Sequence, residues 1–252
     1  MVLDPQRSPL ASTLRRAAQR LPGAMALGRL LRRTLDPHLR EIHRLQQQEA
    51  TRLLQPFPDT FEERYPQLFD ALAQRLADLP QPRILSFGCS SGAEVRALRR
   101  RLPNARIVGL DLNRRMIAEA RAADSHPLSD YRMADAPRPG EQFDAVLAMA
   151  VLRHGALEAD RPESCTAVLP FARFAETIER LDQHIVPGGW LALYHAHFRF
   201  RDAPTATAYE ADPLRMSDYP PQTLLYGPDD RLLVGAVEPA VLFHKNAAAQ
   251  NG

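Results

Sequence analysis

The sequence is poor in features that would place the protein outside the cell or in a membrane. Only Cys89 and Cys165 occur among 252 residues, too few for a disulfide framework, which favours a reducing compartment and predicts a cytoplasmic location. No apolar run approaches the roughly 18 residues that a membrane-spanning helix needs. Residues 1–20 lack the apolar stretch of a secretory signal, so we expect none there.

A large excess of one charge is also lacking. The net charge is only +2, and Lys245 is the one lysine beside 31 arginines. This balance argues against extensive binding of nucleic acid, and no nucleic-acid partner is expected.

Residues before about position 55 differ from the rest, because arginines there outnumber acidic residues. Leu35, Leu39, Ile42 and Leu45 recur at steps of three and four, which predicts an amphipathic helix over residues 37–54. A solvated helical cap is the first interpretation, and contact with an anionic membrane surface or an acidic partner is the alternative. We therefore predict a basic helical extension over 1–60 and a second domain over 61–252.

From residue 66, apolar segments of strand length alternate with helical patterns. Strands are predicted at 84–87, 106–111, 131–135, 143–151 and 190–198, with Pro187-Gly188-Gly189 breaking the helix before the last one. Two further strands, 232–237 and 240–245, are close enough to form a hairpin joined at Glu238-Pro239. This order predicts an α/β fold with a mostly parallel sheet, helices on both faces and an antiparallel C-terminal hairpin strand.

Four predicted strand ends carry groups suited to a nucleotide-like ligand, which such sheets bind at the carboxyl ends of their strands. The turn Gly88–Gly92 leaves backbone N–H groups accessible at the start of a helix. Asp111 ends the next strand and can accept hydrogen bonds from a ribose diol. Asp135 and Met149 follow at the ends of two further strands. Each feature alone is common, since Asp111 also suits a helix N-cap and Asp135 a turn.

In this order the motifs resemble those of class I S-adenosylmethionine-dependent methyltransferases over residues 66–198. They read ILSFGCSSGAE, IVGLDLN, MADAP, FDAVLAMAVL and PGGWLALYHA. The resemblance implies a Rossmann-like methyltransferase fold with seven strands and S-adenosylmethionine as the cofactor.

The resemblance also implies roles for individual residues. The methionine and ribose part of the cofactor would be lined by Gly88, Cys89, Ser90 and Gly92. Asp111 would bind the ribose hydroxyls, with Leu112 against the adenine. Asp135 with Ala136 would recognise the adenine edge, and Met149 would contact the region near the sulfur. One position departs from the common pattern, because Ser86 stands where many members carry an acid. The GCSSG loop with Glu94 nearby is similar to that of chemotaxis-receptor methyltransferases and of a group of bacterial methyltransferases.

The methyl acceptor is expected to be a small molecule, and His154 and His197 are the predicted catalytic residues if a base is needed. A hydrogen-bonded histidine at a strand end is the alternative for each, and the same holds for His195. No metal site is expected, because His195 and His197 lack a third ligand. The segment 199–230 reads as irregular and is predicted to form the acceptor pocket or a lid.

Other functions remain open at this point. A nicotinamide-dependent oxidoreductase would also use Asp111, but a GxGxxG pattern is absent from 86–95. DNA adenine methylation is disfavoured, because VLRHG stands in place of an Asn/Asp-Pro-Pro-Tyr motif. A protein carboxyl methyltransferase and a non-catalytic methyltransferase-like binding protein are the remaining alternatives, and the oligomeric state is open.

Overall fold

The computed structural model describes residues 36–49, 52–216 and 223–247. Its strands are β1 (Arg83–Phe87), β2 (Arg106–Asp111), β3 (Ser129–Met133), β4 (Phe143–Met149), β5 (Ile185–Tyr194), β6 (Tyr209–Ala211) and β7 (Leu242–Lys245). Its α-helices are α1 (Pro37–Gln48), α2 (Pro66–Arg75), α3 (Ala93–Arg101), α4 (Arg114–Ala123), α5 (Gly155–Asp160) and α6 (Phe171–Asp182). Two short 3₁₀ helices, Phe200–Asp202 and Pro204–Ala208, precede β6.

The seven described strands form one sheet in the order β3-β2-β1-β4-β5-β7-β6. Strands β1 to β5 pair in parallel, whereas β7 runs antiparallel to both β5 and β6. The predicted α/β fold, with a mostly parallel seven-stranded sheet and an antiparallel hairpin strand near the C-terminus, is confirmed.

The partner of the last strand differs from the prediction. Residues 232–237 form turns and irregular chain rather than a strand, and β7 instead pairs with β6, where Tyr209 is opposite Lys245. Val234 is 91% exposed, so the apolar residues of this segment do not form a buried strand. The segment 199–230 is correspondingly less irregular than expected, because it contains β6 and both 3₁₀ helices.

The sheet is covered on both faces because its inner strands bury successive side chains on opposite sides. In β1, Ile84 belongs to the apolar cluster that includes α2, α3 and α4, and Leu85 belongs to the cluster that includes α6. Both side chains are fully buried. The near-continuous apolar sequence of β1 and β4 follows from this double coverage.

Two predicted element boundaries shift for local reasons. Helix α1 ends at Gln48 rather than near residue 54, and it begins where the Asp36 carboxylate accepts a hydrogen bond from the backbone N–H of His38 at 2.8 Å. Strand β5 begins at Ile185, so Pro187-Gly188-Gly189 lies inside the strand rather than before it. The pairing of β4 with β5 is irregular at this point, as expected where glycine interrupts a ladder.

The N-terminal segment packs against the sheet domain rather than standing apart from it. Ile42 and Leu45 of α1 are buried, and Leu54 joins the apolar cluster that contains α6. Most of the arginines predicted to form a basic surface fall in residues 1–35, outside the described residues. Within the described ranges, no helix is long and apolar enough to cross a membrane.

The location of the last strand can be tested with two valines from the two segments predicted to pair. Val241 is 1% exposed and Val234 is 91% exposed. We expect Val241→Ala to lower the free energy of unfolding by about 2 kcal/mol, because it deletes two buried carbon atoms. Val234→Ala, the matched control, is expected to change it by less than about 0.5 kcal/mol. Urea denaturation measures both, and equal losses would contradict the structure.

Candidate active site

The sheet contains a crevice between the carboxyl ends of β1 and β4. These strands are neighbours, yet the chain leaves β1 into α3 on one face and leaves β4 into α5 on the other. Val95 of α3 and Leu157 of α5 accordingly belong to different apolar clusters. Such a point, where the strand order reverses, is where open α/β sheets bind their ligands.

The turn after β1 requires glycine at both ends. Gly88 and Gly92 have φ values of +75° and +77°, which lie in the left-handed region that side chains disfavour. A Cβ atom at Gly88 would collide with the side chain of Val151, and one at Gly92 would lie 2.8 Å from the ring of Tyr131. The backbone of this turn is therefore the surface that a ligand meets.

Asp111, at the end of β2, fixes the geometry of the same turn. Its two carboxylate oxygens accept hydrogen bonds from the backbone N–H of Ser90 at 2.8 Å and of Asn113 at 2.7 Å. Burial raises the pKa of Asp111, and these N–H groups partly oppose that shift. Each oxygen retains a further lone-pair direction, so the carboxylate can accept hydrogen bonds from a ligand as well.

Two adjoining cavities occupy the crevice. The large cavity, of about 250 Å³, is bounded by the glycine turn, Asp111 and Met149. The small cavity, of about 60 Å³, is bounded by Leu112, Ala134 and Asp135. Both contact Gly88, Asp111 and Val151, so together they form one elongated site that bends around the end of β1.

Residues 52–61, here called the cover segment, cross this site and are attached at two points. The guanidinium of Arg52 donates to both carboxylate oxygens of Asp135, with Nε 2.8 Å from Oδ2. The Ser90 hydroxyl donates to the carbonyl oxygen of Pro58 at 2.7 Å. The pKa of Asp135 is lowered because Arg52 stabilises its charged form. The cover segment therefore contacts the residues at both ends of the site.

Glu94 supplies a carboxylate beside Ser86, the position at which the family resemblance leads us to expect an acid. The Ser86 hydroxyl donates to Oε1 of Glu94 at 2.6 Å, and Glu94 lines the large cavity. Burial raises the pKa of Glu94 to about 7, although the hydrogen bond from Ser86 and the charge of Arg64 act in the opposite direction. An acid on α3 thus takes the place that a longer side chain at Ser86 would fill.

Two polar side-chain atoms at this site are buried and lack a hydrogen-bond partner within the protein. Among the described residues, Oη of Tyr65 and Nδ2 of Asn113 are buried without a hydrogen-bond partner, and both residues line the large cavity. Buried polar groups without partners are rare because they cost about 1–3 kcal/mol each. The glycine turn, Asp111 and these atoms fit a polar, nucleoside-containing cofactor.

The structure gives the predicted catalytic histidines little access to this site. His197 has a fully buried side chain, with its ring nitrogens 2.8 Å from the Leu224 carbonyl oxygen and 3.3 Å from that of His154. His154 caps α5, because its Nδ1 accepts the N–H of Ala156 at 3.2 Å. Burial lowers the pKa of both histidines. The geometry does not support a base at His197, and the role of His154 stays a prediction.

The remaining predicted cofactor residues lie close to the crevice, but in different ways. Cys89 borders the large cavity, and its buried thiol lies next to Gly109, whereas Gly92 and Ala136 border neither cavity. Ser90 has a φ of +49° and uses its hydroxyl to hold the cover segment. Ala136 follows Asp135 along the chain. No group of His, Cys, Asp and Glu that could hold a metal ion occurs in the part of the chain that the structure describes.

Several wall residues could not be inferred from the sequence. Arg64 and Tyr65 reach the large cavity from the loop before α2, and the guanidinium of Arg64 lies 5.3 Å from the ring centre of Tyr65. Glu94 was visible only as an acid near the glycine turn. The one sequence signal for these wall residues was the run of aromatic and proline residues at 56–61. Apolar residues outside a predicted helix or strand are expected to pack against another part of the protein.

Comparisons with known proteins find similar sequences and structures. Residues 84–170 match a family model described as a methyltransferase domain. The chain is 29% identical over 137 residues to N-demethylindolmycin N-methyltransferase of Streptomyces griseus, covering 53% of this chain and 52% of that one. It is 31% identical over 163 residues to carboxy-S-adenosyl-L-methionine synthase of Aeromonas hydrophila, covering 59% and 58%. The chain thus aligns with little more than half the length of these relatives.

The solved structures similar to this chain include the N-methyltransferase NodS of Bradyrhizobium japonicum WM9. It is 16% identical with a TM-score of 0.44, and the match covers 73% of this chain and 99% of that one. The motifs, the strand order and the family match over residues 84–170 all liken this chain to the class I S-adenosylmethionine-dependent methyltransferases. The cofactor of this class is S-adenosylmethionine, in agreement with the prediction.

The raised pKa of Glu94 predicts a pH-dependent stability. The folded protein keeps the Glu94 proton up to a pH of about 7, whereas the unfolded chain releases it near 4.5. The free energy of unfolding therefore falls as the pH rises between these values and stays lower above them. In the absence of cofactor, we expect the free energy of unfolding of the Glu94→Gln variant to exceed that of the unchanged protein. The difference is expected to be about 2–3 kcal/mol at pH 8 and less than about 1 kcal/mol at pH 5.

Urea denaturation at the two pH values measures this difference. Glu119→Gln is the matched control, because Glu119 is an exposed acid on α4 that pairs with Arg115. The same gain at both pH values for Glu94→Gln would show that ionisation of this carboxyl is not the cause.

Proposed function

We propose that the protein binds S-adenosylmethionine along the two joined cavities and transfers its methyl group to a small-molecule acceptor. The observation that supports this most directly is the continuous site formed at the switch point by the glycine turn, Asp111 and Met149. The family match covers the segment that supplies these residues.

The adenosine half would lie along Asp111 and extend towards the residues that border the small cavity. The Asp111 carboxylate would accept hydrogen bonds from the ribose hydroxyls, and Leu112 would pack against the adenine. Asp135 would recognise the adenine edge through its remaining lone pairs or through the backbone beside Ala136. Because Arg52 holds the carboxylate of Asp135, Arg52 would also orient it.

The large cavity would hold the methionine half. The turn from Gly88 to Gly92, with Cys89 and Ser90 between them, would approach the cofactor through its backbone. The carboxylate of Glu94 and the guanidinium of Arg64 both border this cavity. They are suited to an ammonium and a carboxylate group respectively, so Glu94 would replace the acid that many relatives carry at Ser86. Met149 would contact the region near the sulfur.

The bound cofactor supplies a methyl group that its sulfonium has already activated. The chain then has to align the acceptor with the carbon–sulfur bond and exclude water. The aromatic rings of the cover segment, Phe57 and Phe61, border the large cavity and would restrict the access of water.

We also propose the division of the chain at residue 60. Helix α1 and all of the cover segment except Phe61 would then belong to an N-terminal extension that completes the cofactor site of the domain over 61–252. Leu45 of α1 borders the large cavity, which supports a role for this extension in binding rather than a separate function.

Calorimetric titration tests the cofactor. We expect S-adenosylhomocysteine to bind and NAD to give no heat. Asp111→Asn is expected to weaken S-adenosylhomocysteine binding about 10- to 100-fold, because it removes hydrogen bonds to a charged group. Asp130→Asn is the control, since Asp130 pairs with Arg132 on the surface of β3. Binding of NAD alone would refute the proposal.

A labelling experiment tests the acceptor class. The protein is incubated with S-adenosylmethionine labelled in its methyl group and with a cell extract divided into small-molecule and macromolecular fractions. Label is expected in the small-molecule fraction. Base-labile label in the macromolecular fraction would favour a protein carboxyl methyltransferase. Binding of S-adenosylhomocysteine without any transfer would favour a non-catalytic role.

A further inference from the structure

A third cavity lies on the far side of β5 from the glycine turn. Its volume is about 160 Å³. Phe198, Phe200 and Phe243 contribute rings to its wall, and Arg215 and Glu238 also border it. Phe200 and Phe243 stack with their ring centres 4.4 Å apart. This space, here called the aromatic cavity, is large enough for a single aromatic or alicyclic ring, and none of the cofactor roles proposed above uses it.

Three rings separate the aromatic cavity from the large cavity. Tyr65 borders the large cavity, while Tyr194 and His195 border the aromatic cavity. The Tyr65 ring centre lies 5.4 Å from that of Tyr194 and 5.8 Å from that of His195. In the sheet, Tyr194 is paired with Met149, the residue proposed to contact the cofactor near its sulfur. The ring wall therefore lies where a methyl group and its acceptor would meet.

Two residues of this wall carry a buried polar atom without a partner. Among the described residues, neither Oη of Tyr65 nor Nε2 of His195 has a hydrogen-bond partner, although both are buried. His195 is 4% exposed, and its φ of +53° is one that residues other than glycine rarely adopt. Strained backbone and unsatisfied buried groups cluster at functional sites.

The chemistry of His195 limits what the ligand can be. Its Nδ1 lies 2.9 Å from the hydroxyl oxygen of Thr223. Burial lowers the pKa of His195 to about 3, and the charges of Arg153 and Arg64 act in the same direction. The ring is neutral at physiological pH. When Nδ1 donates to Thr223, Nε2 carries a lone pair and accepts one hydrogen bond.

We propose that the aromatic cavity holds the apolar body of the methyl acceptor, whose nucleophile is a hydroxyl or a neutral amine held by Nε2 of His195 and Oη of Tyr65. This inference rests on the function proposed above. It assigns the acceptor contact to His195 in place of His154 and His197.

The transfer step balances with this arrangement. The bond from the methyl carbon to sulfur breaks, a bond from that carbon to the acceptor oxygen or nitrogen forms, and the sulfonium becomes a neutral thioether. The acceptor atom becomes positively charged. A methylated hydroxyl releases its proton towards Nε2 and then to water, whereas a methylated amine leaves as its ammonium form and loses a proton to water outside the site. A methylated hydroxyl in its oxonium form is a strong acid, so even a weakly basic imidazole can take its proton.

Four single-ring probes test the acceptor class: phenol, aniline, toluene and benzoate. Each is titrated into protein saturated with S-adenosylhomocysteine. Phenol or aniline is expected to bind at least 10-fold more tightly than toluene, because each donates a hydrogen bond to an otherwise unpaired buried group. The ¹⁵N resonance of His195 Nε2 is expected to be that of an unprotonated nitrogen and to shift with the same probe.

His195→Gln, Tyr65→Phe and the exposed control His43→Gln complete the experiment. His195→Gln is expected to reduce the preference for phenol or aniline over toluene to about twofold or less. Tyr65→Phe, which keeps the ring, is expected to reduce this preference in part. His43→Gln should leave it unchanged. Affinity for S-adenosylhomocysteine should stay within threefold of the unchanged protein in His195→Gln and His43→Gln.

Equal binding of phenol, aniline and toluene, or tighter binding of benzoate, would overturn the inference while leaving the cofactor site intact. A protonated Nε2 would also overturn it. Failure of the unchanged protein to bind S-adenosylhomocysteine would instead count against the proposed function.

Discussion

The site depends on a topological constraint, namely that β1 and β4 are hydrogen-bonded neighbours while the chain leaves them towards opposite faces of the sheet. The departing segments cannot fill the space above the two strand ends, so a crevice forms there. Gly88 allows Val151 to approach the turn closely. Asp111 then holds the turn in place through the N–H of Ser90. The cavities, the turn and the carboxylate are consequences of one strand order.

The segment before α2 converts this open crevice into an enclosed site. It is joined to the sheet domain through Arg52 and Asp135 at one end and through Ser90 and Pro58 nearer the other. Tyr65 and Arg64 follow directly, so one continuous stretch of chain contacts the adenosine side, the methionine side and the ring wall. These residues, which precede the domain recognised by the family model, would contact both the cofactor and the proposed acceptor.

Buried charge is the main energetic compromise in the structure. Glu94 is placed where burial opposes its ionisation, and Ser86 gives it one hydrogen bond in return. A group of this kind lowers stability above neutral pH but presents a carboxylate to a cationic ligand without further rearrangement. His195 is the opposite case, because burial keeps it neutral and leaves its lone pair available.

The sequence by itself determined the elements that depend on local pattern. The alternating strands and helices, the glycine turn and the aspartate at the end of β2 follow from side-chain periodicity and from the conformational freedom of glycine, which act over a few residues. The same local reasoning failed for residues 232–237, because apolar letters at strand spacing do not show whether a partner strand is within reach.

Only the tertiary structure decided which distant residues share a wall. Glu94 opposite Ser86, Arg52 on Asp135, and Tyr65 against His195 are separated along the chain by between 8 and 130 positions, and their contacts depend on how helices and loops pack on the sheet. Burial, which sets the ionisation of Glu94 and His195 and encloses His197, is likewise a property of that packing. Periodicity and motif spacing contain no information about it, because both are measured along the chain.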